Sequence, residues 1–291
     1  MTGRMLEGIE RILLDEKPDW VLIYGDTNST LAGALAAAKL HIPVAHVEAG
    51  LRSFNMHMPE EINRILADRV SSLLLCPTAL AVDNLAREGV TQGVHNVGDV
   101  MYDVALYYRE RARAASGILK TLGLTEKAFA LATCHRAENT DNPVRLESIV
   151  SALAQIASDV PVILPLHPRT RKLLQQFGLE RYLDALTIVE PLSYLDMVAL
   201  EQAAKVILTD SGGVQKEAFF YRVPCITMRD ETEWVETVQL GWNQLVGADP
   251  ERIGAAYKQI EHFVACNSLA PYGEGIASEK IIEVLISTSL S

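Results

Sequence analysis

The sequence has no surplus of basic residues and no apolar run long enough to span a membrane. It carries 26 Lys and Arg against 37 Asp and Glu, a net charge of −11, which leaves no basic face for nucleic acid. The N-terminal residues lack the unbroken apolar core of a signal peptide. We therefore predict a cytoplasmic protein that binds neither nucleic acid nor membranes, and that holds any anionic ligand through a few local groups.

Paired cysteines and metal motifs are also missing. The cysteines form no CxxC pair and match no zinc spacing; they are Cys76, Cys134, Cys225 and Cys266. The histidines around Glu48 lack HExxH spacing, so we predict no metal site. A Walker loop and a GxSxG nucleophile elbow are absent as well. A reactive thiol at Cys134 stays open as an alternative, supported only by the adjacent His135.

Short apolar runs alternate with helical stretches along the chain, beginning with "WVLIY" and the Ala-rich stretch 28–40. Val/Ile/Leu-rich strands in this pattern are typical of parallel sheets covered by helices on both faces. A length of 291 residues, and a restart of the pattern after a polar helical stretch, predict two Rossmann-like domains. Ligands bind beyond the carboxyl ends of such strands, where the polar residues are Asp26, Glu48, His135, His167, Asp210 and Arg229.

The stretch "LTDSGGVQKEAFF" indicates a phosphate site. A strand ends at Thr209, two glycines allow close backbone approach, and a helix begins near Gly213. Free N–H groups and the helix dipole favour an anion there, and Ser211 adds a hydroxyl donor. A tight strand–helix turn with a polar cap is the alternative.

The stretch "HVEAGLRSFNMHMPEEINR" carries acids at both ends. Glu48 follows a buried strand and needs a partner, for which Arg52 is the candidate. Pro59 suits a first helical turn, and the two acids after it complement the helix dipole. Adjacent helical positions point about 100° apart, so at most one of these acids serves a site. We expect the buried stripe of this helix to consist of Ile62, Ile65, Leu66 and Val70.

Two further strand ends carry candidate groups. "GDTNSTLAG" places Asp26 after a strand, with a helix-capping role as the alternative. "ATCHRAENTDN" ends a strand with His135, Arg136 and Glu138, and an imidazole beside a guanidinium suits an anionic leaving group. Solvated loop residues are the alternative for this second segment.

Six motifs together resemble the non-hydrolysing UDP-N-acetylglucosamine 2-epimerases: "YGDTNSTLA", "IPVAHVEAGLRS", "MPEEINR", "CHRAENTDN", "LTDSGGVQKEA" and "VPCITMRDETE". They stand in that family's order and approximate spacing over nearly the whole chain. The resemblance implies an α/β, glycosyltransferase-B-like fold of two Rossmann-like domains with the cleft between them. We predict domains at 1–98 and 99–271 from the restart of the strand–helix pattern, and the resemblance implies a C-terminal helix at 272–291 that returns to the first.

The resemblance also implies an isomerase that inverts C2 of the sugar, converting UDP-N-acetylglucosamine into UDP-N-acetylmannosamine by eliminating and re-adding UDP. Reaction on two faces of one carbon needs acid/base groups on both sides. The implied catalytic residues are Asp26, Glu48 and Glu60, with His135 stabilising the departing phosphate. The implied binding residues are Ser211, Gly212 and Gly213 for the diphosphate, Glu217 for the ribose, and Arg136 and His167 for sugar or effector contacts. A homodimer without metal or nicotinamide is expected.

The sequence departs from the family pattern in two places. The family's first strand and its Gly-Thr-Arg-Pro-Glu loop have no counterpart, so we expect the chain to lack at least one βα unit. The loop "SFNMHMPEE" and the segment "RDETEWVET" look closer to a subgroup that includes epimerases for UDP-2,3-diacetamido-glucuronic acid. The open alternatives are that substrate, a glycosyltransferase of the same fold, a hydrolysing epimerase that releases N-acetylmannosamine, and an inactive truncated chain.

Overall fold

The computed structural model describes residues 1–263 and 270–289, so Cys266 lies outside the described residues. The chain forms two compact units, one of Met1–Val104 with Ala270–Ser291 and one of Ala105–Leu269. The predicted domain limits of 98 and 272 stay a prediction, and the unit limits lie a few residues away. No helix among the described residues is long and apolar enough to cross a bilayer.

The first unit contains a parallel sheet in the order β1-β2-β3-β4. Its strands are β1 Val21–Tyr24, β2 Val44–Val47, β3 Leu73–Cys76 and β4 Val94–Asn96; its helices are α1 Thr2–Glu16, α2 Asn28–Lys39, α3 Pro59–Val70, α4 Ala79–Arg87 and α14 Ala277–Ser289, while α5 Val100–Ala115 contains the boundary between the units. Because β2 and β3 lie inside the sheet, all their residues are buried, whereas the edge strand β1 exposes Leu22 and Tyr24.

Helix α14 packs on the sheet of the first unit. Its Ile281 lies in an apolar cluster with Val47 of β2 and Leu75 of β3. The Asp103 carboxylate accepts hydrogen bonds from the backbone N–H groups of Ala277 and Ser278, at 3.0 and 2.8 Å. A carboxylate at a helix N-terminus satisfies free donors and complements the dipole, so this contact anchors α14.

The second unit contains a parallel sheet in the order β10-β9-β8-β5-β6-β7. Its strands are β5 Ala130–Thr133, β6 Val162–Pro165, β7 Thr187–Val189, β8 Val206–Thr209, β9 Cys225–Thr227 and β10 Asn243–Leu245; its helices are α6 Ile118–Thr121, α7 Ala137–Thr140, α8 Pro143–Ile156, α9 Pro168–Gln176, α10 Tyr194–Ala203, α11 Gly212–Phe220, α12 Val235–Gln239 and α13 Pro250–Gln259, with short 3₁₀ turns at Glu180–Ala185 and Ile260–His262.

The strand order of this second sheet reverses between β5 and β8. From β5 the chain moves outward through β6 and β7, then returns to β8 on the other side and continues to β10. Connections leave in opposite directions at such a point, so a crevice opens beyond the carboxyl ends of β5 and β8. Those two ends carry His135 and Ser211–Gly213, which places the predicted phosphate segments side by side.

The expected burial of helix α3 is wrong. Ile62 and Leu66 are 40% and 42% exposed, and the buried face is instead mostly polar: Glu61, Asn63, Arg64 and Asp68, with Ala67. Such a face is stable only when its polar groups find partners inside the unit. The partners of Arg64 and Asp68 lie in the turns that follow β1 and β2, so α3 braces those turns.

Candidate active site

In the first unit, Asp26 and Glu48 occupy the ends of neighbouring strands. Asp26 lies two residues after β1, and its Oδ2 accepts a hydrogen bond of 2.7 Å from Arg64. Thr27, not Asp26, caps helix α2, because its hydroxyl accepts the N–H of Thr30. The Asp26 carboxylate is 32% exposed, so it stays accessible to a ligand while Arg64 holds it.

Glu48 has a backbone conformation that side-chain-bearing residues rarely adopt. Its φ is +69°, and its N–H donates to the carbonyl of Leu75 at 3.1 Å. Its Oε2 lies over the preceding turn, 3.3 Å from where a Cβ on Gly25 would stand. Left-handed backbone at a non-glycine residue costs about 1–3 kcal/mol and clusters at functional sites. The strain is consistent with a carboxylate aimed at a ligand.

The two acids of α3 have different surroundings. Glu61 is buried, and its oxygens accept hydrogen bonds from the N–H groups of Ser53 and Phe54, both at 2.9 Å, and from Arg64 at 2.7 Å. Glu60 is half-buried, and its carboxylate makes no hydrogen bond or ion pair within the described part of the chain. Glu61 is therefore occupied in holding a loop, whereas Glu60 is available to a ligand.

The expected pairing of Arg52 with Glu48 is wrong. Arg52 is buried and forms a bidentate pair with Glu88, at 2.7 and 2.9 Å, and a further bond of 2.8 Å to Asp68. Two carboxylates and the carbonyl of Leu51 thus take its donors. Arg52 therefore links the loop after β2 to Asp68 on α3 and to Glu88 after α4.

In the second unit, Asp210 ties together the two segments at the switch point. Its buried carboxylate accepts the backbone N–H of His135 at 3.1 Å and that of Arg136 at 3.0 Å. It also accepts the side-chain amide of Asn139 at 3.2 Å. The loop after β5 is therefore held against the loop after β8. The side chain of His135 remains 47% exposed, with Nδ1 3.5 Å from Asp210.

Helix α11 begins at Gly212 directly after the β8 loop, and Ser211 is its N-cap residue. The Ser211 hydroxyl makes no capping bond within the described residues, so it can turn towards a ligand. A Cβ on Gly212 would stand 2.5 Å from Oε1 of Glu233, so a side chain there would have to displace that carboxylate. First-turn N–H groups with close backbone access form an anion site. Gly213 follows in the same turn.

The side chain of His167 is exposed, and its Nδ1 accepts the N–H of Arg169 at 3.2 Å, capping helix α9. It lines a pocket of about 310 Å³ together with His135. The other walls are mostly apolar and include Pro165, Pro191, Leu192, Met197 and Val214. A small apolar pocket beside an anion site fits a planar base attached to a phosphate. Arg136 is half-buried at the start of α7.

Glu217 projects from α11 beside a second buried acid. Burial raises the pKa of Glu217 to about 7, although Lys216 and Tyr194 act in the opposite direction. Burial, followed by the charge of Glu217, raises the pKa of Glu201 well above its ordinary range. Neither oxygen of Glu201 has a hydrogen-bond partner among the described residues, which fits a neutral acid. Glu217 is thus the member of the pair that ionises near neutral pH.

The alternative of a reactive thiol at Cys134 loses its support. The side chain is buried, and burial, followed by the charge of Asp210, raises its pKa well above the ordinary range. Among the described residues no group of three or more His, Cys, Asp or Glu side chains could hold a metal ion.

The site contains residues that the motif analysis left without a role. Asp210 and Arg64 are the clearest, because each bridges two segments that carry candidate groups. Their signals are in the sequence: Asp210 stands next to the glycine pair, and Arg64 stands one helical turn after Glu60 and Glu61.

Comparison with known proteins decides the family. A family model described as UDP-N-acetylglucosamine 2-epimerase matches residues 1–286. The chain belongs to this family. It is a sugar-nucleotide 2-epimerase, which makes it an isomerase. The α/β class and the glycosyltransferase-B-like fold are confirmed by the parallel sheets and by the solved relatives.

Three relatives illustrate the similarity of this epimerase to characterised proteins. The UDP-2,3-diacetamido-2,3-dideoxy-D-glucuronate 2-epimerase of Pseudomonas aeruginosa is 54% identical over 289 residues, 98% of this chain and 79% of that protein. The Methanocaldococcus jannaschii UDP-GlcNAc 2-epimerase in complex with UDP-GlcNAc and UDP is 45% identical, with a TM-score of 0.90, over 98% of this chain and 80% of that one. The Neisseria meningitidis UDP-GlcNAc 2-epimerase bound to UDP-GlcNAc is 31% identical, with a TM-score of 0.89, over 98% and 81%.

Proposed function

We propose that this epimerase interconverts UDP-N-acetylglucosamine and UDP-N-acetylmannosamine. The observation that carries the proposal is the pair of strand-end sites: three carboxylates in the first unit and an anion site beside an apolar pocket in the second. Relatives of the same family bind UDP-GlcNAc and UDP in their crystal structures, which supports the substrate class.

The three carboxylates carry the proton transfers in this proposal. One of Asp26, Glu48 and Glu60 removes the proton at C2 while the C1–O bond breaks and UDP leaves with its electron pair. The resulting glycal then takes UDP back at C1 as an acid delivers a proton to the opposite face of C2. Acid and base of this kind each contribute about 10²–10⁴-fold to a rate. Two observations support these assignments: the exposed fraction of Asp26, and the absence of any hydrogen bond to the Glu60 carboxylate among the described residues.

The second unit holds the nucleotide in this proposal. Ser211, Gly212 and Gly213 donate to the diphosphate, and Glu217 accepts hydrogen bonds from the ribose hydroxyls. His135, held by Asp210, stabilises the charge on the departing phosphate. Arg136 and His167 complete the rim of the site, and the apolar pocket takes the uracil ring.

Incubation with UDP-N-acetylglucosamine in deuterated water tests the proposal. We expect deuterium at C2 and a UDP-bound product of the manno configuration. Free UDP with a new glycoside would indicate a transferase, and free N-acetylmannosamine would indicate a hydrolysing epimerase. No exchange together with no UDP-induced rise in Tm would contradict every catalytic assignment.

A second candidate substrate is UDP-2,3-diacetamido-2,3-dideoxy-D-glucuronate. It is favoured by the 54% identity to the Pseudomonas aeruginosa epimerase for that compound. The two candidates differ by a carboxylate and a second acetamido group, so kcat/KM measured for both under one set of conditions ranks them. A higher kcat/KM for the glucuronate would replace our first proposal. Homodimeric assembly and cytoplasmic location also stay predictions, and light scattering of the purified chain tests the first.

A further inference from the structure

His46 is a fully buried histidine that the proposed chemistry does not use. It lies on β2, between Ile23 of β1 and Leu74 of β3 in the sheet register, and its exposed fraction is 0%. Its Nδ1 is 2.7 Å from Oδ1 of Asp68, and its Nε2 is 2.8 Å from the carbonyl oxygen of Gly25. Both ring nitrogens thus have a partner at short distance.

Neither partner of His46 can donate a proton when Asp68 is ionised. A carbonyl oxygen and a carboxylate are acceptors only, so two hydrogen bonds require a proton on each ring nitrogen. The other oxygen of Asp68 already accepts from the N–H of Gly50 at 3.1 Å and from Arg52 at 2.8 Å. Those two donors favour the ionised carboxylate.

The charges around this histidine balance only if the ring is an imidazolium. Four side chains follow one another in contact, with His46 bound to Asp68, Asp68 to Arg52, and Arg52 to Glu88. A cationic ring makes the series alternate in sign and sum to zero, and it places the buried Asp68 carboxylate between two cations, while Glu88 at the end of the series is 27% exposed. Burial, followed by the charge of Asp68, raises the pKa of the Cys76 thiol to about 12, so the thiol adds no charge.

The pair of His46 and Asp68 connects the two turns that carry candidate acids. Gly25, whose carbonyl binds the ring, immediately precedes Asp26. Gly50, whose N–H binds Asp68, lies two residues after Glu48. Its φ is +80°, and a Cβ there would stand 2.3 Å from the carbonyl oxygen of Ala81, so the turn packs closely against α4. A movement of the ring would therefore displace both turns together.

We propose that His46 is a positioning residue, a doubly protonated ring that holds Asp26 and Glu48 at the separation their proton transfers require. The proposal rests on the proposed function for its catalytic consequence. The two ring protons are inferred from the hydrogen bonds of His46 and do not depend on the proposed function. This role differs from that of the acids, because the ring is fully buried and acts through the turns that carry them.

Nuclear magnetic resonance of the whole chain with labelled histidines tests the ring directly. We expect two ring N–H signals for His46 at pH 7, both protected from exchange with solvent and both lost in His46→Gln. A single ring N–H signal would overturn the assignment of the imidazolium.

Two substitutions test the positioning role. Gln places an amide donor near the Nε2 position and loses Asp68, whereas Asn places one near Nδ1 and loses the Gly25 carbonyl. Displacement of a reacting group by about 1 Å costs about 10²-fold in rate, so we expect each variant to lower kcat at least about 10-fold while KM changes less than about threefold. Leu13→Ala is the control, since Leu13 is buried on α1 in an apolar cluster that includes no residue of either turn.

The outcomes separate this inference from the proposed function. If the wild-type chain exchanges the C2 hydrogen and both His46 variants retain its kcat, positioning is refuted and the function stands. If each variant loses no more activity than Leu13→Ala at equal loss of Tm, the role is structural only and positioning is refuted as well. If the wild-type chain exchanges nothing, the function fails, and the ring signals still decide the protonation.

Discussion

Replacing Glu61 by Gln separates this structural acid from Glu60, the proposed catalytic acid next to it. Oε2 of Glu61 accepts from the N–H of Ser53 and from Arg64, and Oε1 accepts from the N–H of Phe54. A glutamine carbonyl can retain one of these sides. Its NH₂ group then faces an N–H donor on the other side, so a buried donor loses its acceptor.

The magnitude follows from two losses. An unsatisfied buried donor costs about 1–3 kcal/mol, and removal of one partner of a buried ion pair costs about 3–5 kcal/mol. Arg64 keeps its bond to Asp26, which places the second loss at the low end. We therefore expect Glu61→Gln to lower the free energy of unfolding by about 4–6 kcal/mol.

The loss of stability caused by Glu61→Gln depends on pH. Burial opposes ionisation of Glu61, but the bonds from Ser53, Arg64 and Phe54 outweigh it and lower its pKa below the ordinary 4.5. A depressed pKa contributes stability above the unfolded pKa, and that stability is lost as pH falls through the folded pKa. The difference between wild type and Glu61→Gln should therefore be full at pH 7 and shrink below about pH 4.5.

Hydrogen exchange of peptides from α3, with urea unfolding, measures this stability, and Glu60→Gln is the matched control. Glu60 makes no hydrogen bond within the described residues, so its substitution should change stability by less than about 0.5 kcal/mol. The rate at which Glu60→Gln exchanges the hydrogen at C2 of the substrate should fall at least about 10²-fold. Glu61→Gln, assayed well below its Tm, should retain more of this activity. Equal stability of the two variants, or an equal loss of hydrogen exchange at C2 of the substrate, would refute the reasoning.

Three further outcomes are expected. Asp210→Asn should lower kcat about 10-fold or more, because a neutral amide holds the N–H groups after β5 less firmly; unchanged steady-state kinetics would speak against this role. UDP affinity measured by calorimetry should rise through pH 7 as Glu217 ionises. Glu217→Gln should abolish this part of the pH dependence of the affinity and leave only the part that comes from ionisation of the diphosphate. Gly212→Ala should weaken UDP binding and lower the free energy of unfolding by about 1–3 kcal/mol through its clash with Glu233. Gly254→Ala on α13 is the control and should not destabilise the chain, because a Cβ there meets nothing within 4 Å.

Local chemistry made much of this fold predictable. Continuous apolar runs between turn residues predict buried parallel strands, and β2 and β3 lie where "IPVAHV" and "SSLLLCPT" place them. Pro59 stands at the first position of α3, as its fixed φ and missing N–H favour. Because parallel strands end at one edge, their following residues could be assigned to a ligand site without knowing any contact.

The pairing of charged side chains could not be predicted in the same way. Arg52 and Glu88 are 36 residues apart, and Asp210 and His135 are 75 apart. A candidate partner chosen from nearby sequence, Glu48 for Arg52, was wrong because the tertiary structure brings a more distant carboxylate into bidentate geometry.

The sequence by itself determined which residues stand at the strand ends, because periodicity and turn chemistry act over a few residues. Only the tertiary structure decided which of them are free to react. Helix α3 shows the difference: its apolar residues suggested a buried stripe, yet it buries Glu61, Arg64 and Asp68 instead. The cost of burying charge is met only by partners that folding brings from elsewhere in the chain. Those partners engage Glu61 and leave Glu60 available.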